Sequence, residues 1–203
     1  MGLMAKSGGA SFDPVAEGVY NAVCYSVVDL GHHLDPTFGK RNHSCLITWE
    51  IPSERITIEK DGVKMDLPRA ISRTYTLTLG EKSNLRKDLQ TWRGRVFTEQ
   101  ELEGFDIKNL LGKSCMLQVI HNKKGEKTYA NIAAIMPLMK GMAPLAPENP
   151  LTFYSMADHQ DQIPEKVPEW VRDIIKTSDE WVAFRPAEES QTSNVSDGGD
   201  VPF

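Results

Sequence analysis

Apolar and polar residues alternate with a period of two in three segments of the first half of the chain. The segments are residues 18–30, 43–51 and 69–79, and such alternation is typical of β-strands with one buried face. The predicted apolar faces hold Val19, Val23, Tyr25 and Val27; Cys45, Ile47, Trp49 and Ile51; and Ile71, Tyr75, Leu77 and Leu79. We therefore predict three consecutive strands, with a hairpin turn at residues 61–62 between the second and the third.

The apolar period lengthens to helical spacing between residues 83 and 113. Leu85, Leu89 and Trp92 recur at that spacing. Ser83 is a favourable N-cap for this helix, and Gly94 ends it. A Thr-x-x-Glu capping box at residues 98–101 predicts a second short helix, and residues 106–113 predict one further helical turn.

Alternation returns in residues 114–122 and 128–136, which flank a turn at Gly125 and predict a β-hairpin. The order of elements is therefore three strands, a helical insertion and two strands. This order matches a five-stranded Greek-key barrel, the OB-fold, in which a helix falls between strands three and four. We accordingly predict a mainly-β, OB-fold-like barrel.

The pattern changes again after residue 137, where prolines interrupt any periodicity. Residues 167–181 then predict a short amphipathic helix, whose apolar stripe we expect to bury Trp170 and Ile174 against the barrel or across a dimer. A homo-oligomer is therefore one of the open alternatives. We divide the chain into a flexible N-terminus (1–16), the OB-fold-like domain (17–140), a linker or strap with the helix (141–185) and a disordered acidic tail (186–203).

Charge is unevenly distributed along the 203 residues, whose net charge is −5. Residues 1–150 hold 19 Lys and Arg against 17 Asp and Glu, whereas residues 151–203 hold 4 against 11. A slightly basic body with an acidic tail is compatible with a nucleic-acid partner, which a uniformly acidic protein would repel.

The number and spacing of the cysteines, and the absence of long apolar runs, indicate a cellular compartment. Cys24, Cys45 and Cys115 are widely spaced and odd in number, which predicts free thiols in a reducing compartment. No apolar run approaches the ~20 residues of a membrane span, and residues 1–9 lack the apolar region of a signal peptide. We expect a cytoplasmic protein without a membrane partner.

Small Greek-key barrels of this class bind single-stranded nucleic acid through a basic groove and aromatic rings. The candidate DNA-binding residues are Phe38, Lys40 and Arg41 in the loop after the first strand; Arg69, Arg73 and Tyr75 on the third strand; and Lys123, Lys124, Lys127 and Tyr129 in the last hairpin. Tyr75 and Tyr129 are the first candidates for base stacking, because Trp49 and Trp92 lie among core positions. The alternative basic surface is the helical side, with Arg86, Arg93 and Arg95.

Metal binding and catalysis receive little support from the sequence. The candidate ligands His32, His33, His43, Cys45 and His121 lack the close pairs typical of structural zinc sites. No hydrolase, nucleotide-binding or metalloprotease motif is present. The adjacent Glu59, Lys60 and Asp61 would point in different directions in a hairpin. We predict a non-enzymatic protein without a metal or cofactor.

The last residues, GGDVPF, form a motif of their own. Asp200, Val201, Pro202 and Phe203, preceded by Asp197, resemble the acidic C-terminal tip of bacterial single-stranded DNA-binding proteins. Two glycines, at positions 198 and 199, stand where that family usually has aspartates. The resemblance implies a phage-type protein of DNA replication or recombination, working in a bacterial host cell, whose tip recruits replication and repair enzymes and competes with DNA for the groove.

Two alternatives stay open at this point. A strand-annealing or recombination-mediator protein would share the same DNA chemistry, and annealing of complementary strands would distinguish it. A structural phage β-barrel would carry its basic loops without using them, and it would not bind single-stranded DNA.

Overall fold

The structure is a computed structural model that describes residues 13–60, 62–159 and 162–184. The predictions for residues 1–12, for Asp61 and for the tail, including Asp197 and Asp200–Phe203, lie outside the described residues. Strands dominate: β1 Gly18–Asp35, β2 Lys40–Lys60, β3 Val63–Thr76, β4 Ser114–Lys124, β5 Lys127–Met136 and β6 Thr152–Tyr154. The helices are α1 Asn84–Arg93, α2 Glu99–Glu103, α3 Met156–His159, α4 Glu169–Lys176 and α5 Asp179–Phe184, with a 3₁₀ turn at Ile107–Leu110.

The five long strands form one antiparallel sheet in the order β3-β2-β1-β4-β5, and β6 pairs in parallel with β1. The sheet curls so that its two edges approach each other. Arg73 of β3 donates a hydrogen bond to the carbonyl of Ile132 on β5, at 3.3 Å. The prediction of a mainly-β chain is confirmed, and its sheet is a curled, barrel-like half-cylinder.

Capping interactions between residues close in sequence stabilise the helices that lie between β3 and β4 in the chain. The Ser83 side chain accepts the backbone N–H of Arg86, and Gly94 ends α1 in the left-handed conformation at φ 66°. Thr98 and Glu101 complete the capping box of α2. These caps satisfy N–H groups that a helix leaves without partners at its start.

The concave side of the sheet holds the main core. The predicted face of β2 is confirmed, since Cys45, Ile47, Trp49 and Ile51 are all buried there. Trp92 of α1 packs against Trp49, with ring centroids 5.7 Å apart, and its indole N–H donates to the carbonyl of Ser114. Both tryptophans are therefore core residues, as predicted.

The predicted face of the first strand was wrong over its first half. Ala22 and Cys24 lie in the main core, whereas Val19 is 54% exposed. A β-bulge between Cys24 and Ser26 shifts the alternation by one residue, so that Val27 faces the same core. A simple period of two could not locate that extra residue.

A second, smaller core lies on the convex side of β1 and β2. Val28, Leu30 and Leu46 pack there with Val171 and Ile175 of α4. The helix predicted over residues 167–181 is divided in the structure into α4 and α5. Ile174 is partly buried against this core, but Trp170 is 52% exposed rather than buried. Val171 and Ile175 are four positions apart and share the buried face, whereas Trp170 lies about 100° around the helix from Val171.

A buried carboxylate attaches the proline-rich strap to the sheet. Glu50 of β2 is fully buried and accepts hydrogen bonds from the backbone N–H groups of Glu148 and Asn149 and from the Asn149 side chain. These donors replace the water that the carboxylate loses on burial. Among the described helices, none has both the length and the apolar character to cross a membrane.

Candidate nucleic-acid interface

The turn between β1 and β2 projects a ring and two cations into solvent. We call residues 36–41 the β1–β2 tip. Phe38 is 74% exposed, and Lys40 and Arg41 are also exposed. Arg41 forms an ion pair with Asp179 of α5, so it also helps to hold the C-terminal helix. Phe38 and Lys40 are the members of this tip best placed to meet a ligand.

The hairpin between β4 and β5 carries the other predicted set, and we call residues 123–129 the β4–β5 tip. Lys123, Lys124 and Lys127 are exposed, and Tyr129 is 47% exposed. Lys124 pairs with Lys127 across the hairpin, so these two lysines share a face with Tyr129. Lys123 projects from the opposite face. The exposed ring of Tyr129 is thus placed beside two cations.

The third strand does not expose Tyr75 to a ligand. Tyr75 is only 3% exposed, and its hydroxyl donates to Asp88 at 2.9 Å. Burial, together with the Asp88 carboxylate, raises the pKa of Tyr75. Its assignment as a base-stacking ring is therefore corrected: the odd positions of β3 point into the core on the concave side of the sheet, where Ile71 also lies.

The two arginines of β3 are engaged within the protein. Arg73 forms an ion pair with Asp88 at 3.0 Å and lies 5.3 Å from the centroid of the Tyr75 ring. Arg69 donates to the carbonyls of Asp13 and Arg55. Because their guanidinium groups already have partners, these arginines hold the barrel edge and the N-terminal segment in place.

The arginines on the helical side are engaged too. Arg93 and Arg95 both bind the Glu101 carboxylate. The Arg95 guanidinium and the backbone N–H of Thr98 lower the pKa of Glu101 to about 2. Arg86 donates to the carbonyl of Leu79 and to Gln90. This alternative basic surface is therefore largely used in packing the helices.

A groove that the sequence did not indicate lies on the convex face of β2 and β3. We call it the Trp170 groove. It has a volume of about 240 Å³, and α4 with its preceding residues forms one wall. Its lining includes Tyr25, Thr48, Ser72, Lys166 and Trp170. The even positions of β2 and β3 line its floor, because the odd positions face the core.

Two features make the Trp170 groove chemically suitable for a base and a phosphate. The half-exposed indole of Trp170 offers an aromatic face, and Lys166 offers a cation. Burial and the nearby Glu50 carboxylate raise the pKa of Tyr25 to about 12, so its hydroxyl stays protonated and able to donate. An apolar wall beside polar donors is a common arrangement in ligand grooves.

The two tips lie beyond opposite ends of β1. The β1–β2 pairing runs out to Asp35 opposite Lys40, whereas β4 pairs only with the start of β1, from Gly18 opposite Val119. Tyr25 lies midway along β1 and lines the groove. The Trp170 groove therefore lies between a lysine-bearing tip at one end of the sheet and a lysine-bearing tip at the other.

A histidine cluster lies near the end of β1. The His32 and His43 rings stack with centroids 4.5 Å apart, and the Glu180 carboxylate accepts from the His32 ring and from its backbone N–H. The hydrogen bond to Asp29 raises the pKa of His43. Burial raises the pKa of Glu180, but the hydrogen bonds from His32 outweigh it and lower the pKa to about 2.

The other predicted metal-ligand candidates lie apart from this cluster. His33 binds the carbonyl of Leu30, and His121 binds the carbonyl of Val15. Cys45 is buried, and burial raises its pKa to about 12. Sequence reasoning missed Glu180, which is 148 positions from its partner His32 and gives no local signal.

Comparison with known proteins adds no assignment. No protein-family model matches the chain, and neither a curated protein nor a solved structure matches it. The function therefore has to be argued from the residues and their geometry.

Proposed function

We propose that this chain is a sequence-independent single-stranded DNA-binding protein of replication or recombination in a bacterial host, and that the Trp170 groove is its DNA-binding surface. The observation that carries the proposal is the position of a half-exposed tryptophan over a groove with both polar and apolar lining, between two lysine-bearing tips. We further propose that the curled sheet is a Greek-key barrel of the OB class, with the helices before β4 as its insertion.

Stacking explains why such a surface needs no particular sequence. Every base has a π-face, so an exposed indole stacks on any of them, at roughly 1–3 kcal/mol per base. Trp170 supplies that face in the groove, and Phe38 and Tyr129 supply exposed rings at the two tips. Three separate rings would contact three separate bases along one strand.

Phosphate contacts would come from lysines that have no competing role in the fold. Among the described residues, no ion pair involves Lys40, Lys123, Lys124, Lys127 or Lys166. Their ammonium groups are exposed and can meet phosphates. By contrast, Arg41, Arg69 and Arg73 already have partners, so we assign them a smaller share of the affinity.

The test is a binding measurement by fluorescence anisotropy with the full chain. Labelled oligo-dT and a duplex of equal length are compared at about 50 mM and about 200 mM salt. We expect oligo-dT to bind more tightly than duplex, with affinity falling steeply as salt rises. Equal binding to both, or binding to neither, would contradict the proposal. Annealing of complementary strands, measured in parallel, would move the protein to the strand-annealing class.

We also propose that Asp200–Phe203, with Asp197, form a docking motif for replication and repair enzymes. The support is the resemblance of these residues to the tip of bacterial single-stranded DNA-binding proteins. A ring flanked by carboxylates suits an apolar pocket with a basic rim on the partner.

A further inference from the structure

The histidine cluster joins three elements at one end of the sheet. His32 of β1 and His43 of β2 are directly opposite each other in the antiparallel register, so both rings project from the same face. Glu180 of α5 reaches this face. One ligand atom from each of the three residues lies within 4.8 Å of the other two.

We propose that His32, His43 and Glu180 bind a divalent transition-metal ion of the Zn²⁺ type. Two imidazole nitrogens and one carboxylate oxygen form a ligand set that Zn²⁺ accepts, with a water molecule in the fourth position. Tetrahedral coordination requires ligand atoms about 3.3 Å apart. The three side chains are partly exposed and need only a small convergence to reach that spacing.

Asp29 provides the outer support that a metal-bound imidazole needs. Its carboxylate binds His43 Nε2 at 2.7 Å and also accepts the backbone N–H groups of Gly31 and Met156. This bond holds the proton on Nε2 and leaves Nδ1 of His43 as the ligand atom. A carboxylate behind a ligating histidine fixes the tautomer and raises the basicity of the ring.

The site is open to solvent, so an ion can enter without unfolding. The His32 side chain is 42% exposed and that of Glu180 is 30% exposed. Bound metal would join the β1–β2 hairpin to α5, alongside the ion pair between Arg41 and Asp179. It would therefore stabilise the attachment of the C-terminal helix to the sheet, independently of any DNA contact.

The proposal can be tested by titrating Zn²⁺ into chelator-treated full-length protein, with calorimetry and thermal melting as readouts. We expect one bound ion per chain and a higher melting temperature that EDTA reverses. Co²⁺ should bind at the same place with visible absorption typical of four-coordination. Absence of stoichiometric Zn²⁺ binding would overturn the proposal.

Three variants locate the ion. Glu180→Gln and His43→Ala should lower Zn²⁺ affinity at least tenfold. Asp29→Asn should lower it by about 10- to 100-fold, because it removes the carboxylate that fixes the tautomer of His43. His33→Ala is the matched control and should bind Zn²⁺ like the parent chain. Glu180→Gln keeps an oxygen to accept from His32, so this variant should fold. Unchanged Zn²⁺ affinity in Glu180→Gln and His43→Ala would place the ion elsewhere and overturn the assignment.

Discussion

The indole of Trp170 is the side chain on which the proposed DNA groove most depends. It is half exposed, it lines the groove, and its neighbours Val171 and Ile175 supply the buried contacts of α4 instead. Its ring is thus available to a ligand at little cost to the fold. The two tyrosines differ in the same way: the ring of Tyr129 is exposed to a ligand, whereas the ring of Tyr75 is buried in the core.

Trp170→Ala should weaken oligo-dT binding by about 5- to 150-fold, the equivalent of one lost stacking contact. The melting temperature should change little, because half of the ring is already in water. Anisotropy titration and thermal melting measure the two effects. Val96→Ala removes an apolar side chain that is even more exposed, at 72%, from the helical side and serves as the control. A lower melting temperature with unchanged DNA affinity would make Trp170 a packing residue.

Tyr75→Phe should lower the free energy of unfolding by about 1 kcal/mol, because Asp88 loses a buried hydrogen-bond donor. DNA affinity should stay the same, because the ring lies inside the barrel. Urea denaturation and anisotropy titration provide the two measurements. If affinity fell while stability did not, Tyr75 would return to the binding surface.

At the scale of elements, the two tips hold four of the five lysines that we propose to meet phosphates, namely Lys40, Lys123, Lys124 and Lys127. Both are hairpin turns that extend beyond the packed part of the sheet, so their lysines can be changed without disturbing the core. The arginines nearer the core are instead used to hold strands and helices together, as the Arg73–Asp88 pair shows.

Lys40→Ala, Lys123→Ala and Lys124→Ala should each weaken oligo-dT binding. Each should also make the slope of log K against log salt shallower by about 0.7 for a lost phosphate contact. Titrations at four or five salt concentrations measure the slope. Lys87→Ala, an exposed lysine of α1, should leave it unchanged. Unchanged slopes in all three tip variants would show that DNA follows another path.

At the scale of the whole molecule, the described chain is one curled sheet whose two faces have separate cores. The concave core is closed by α1, and the convex core is closed by α4. Glu50 anchors the strap to β2. The proposed DNA groove borders the convex core, and the proposed metal site lies near the end of β1; both are on surfaces that the packing leaves accessible.

Deleting residues 198–203 should leave the melting temperature unchanged and oligo-dT affinity equal or slightly higher, because acidic residues compete with DNA for basic surface. The same deletion should abolish binding to purified host replication or repair enzymes in a pull-down. Phe203→Ala should cause most of that loss, with Ser196→Ala as the control. Loss of DNA binding with partner binding retained would assign these residues to the groove instead.

The elements that sequence predicted well depend on neighbours in the chain. The buried face of β2 from Cys45 to Ile51 follows from a strict period of two, and the caps of α1 and α2 follow from residues within four positions of each other. Alternation and helix caps involve residues that are close in sequence, so the local backbone geometry alone places them together. For that reason the mainly-β composition and the order of the five long strands, with α1 and α2 between β3 and β4, were accessible from the chain alone, whereas β6 and α3 were not predicted.

Tertiary structure decided the features that depend on contacts between distant residues. The bulge after Cys24 inverts part of β1, and the packing of α1 brings Asp88 to Arg73 and Tyr75. Packing of α4 on Val28 and Leu46 selected which of its apolar residues stays exposed. His32 and Glu180 meet across 148 positions. The sequence by itself determined which residues could be buried, charged or stacked. Packing of the whole chain then selected which of them stayed at the surface, because the apolar faces of all elements compete for a core of limited volume.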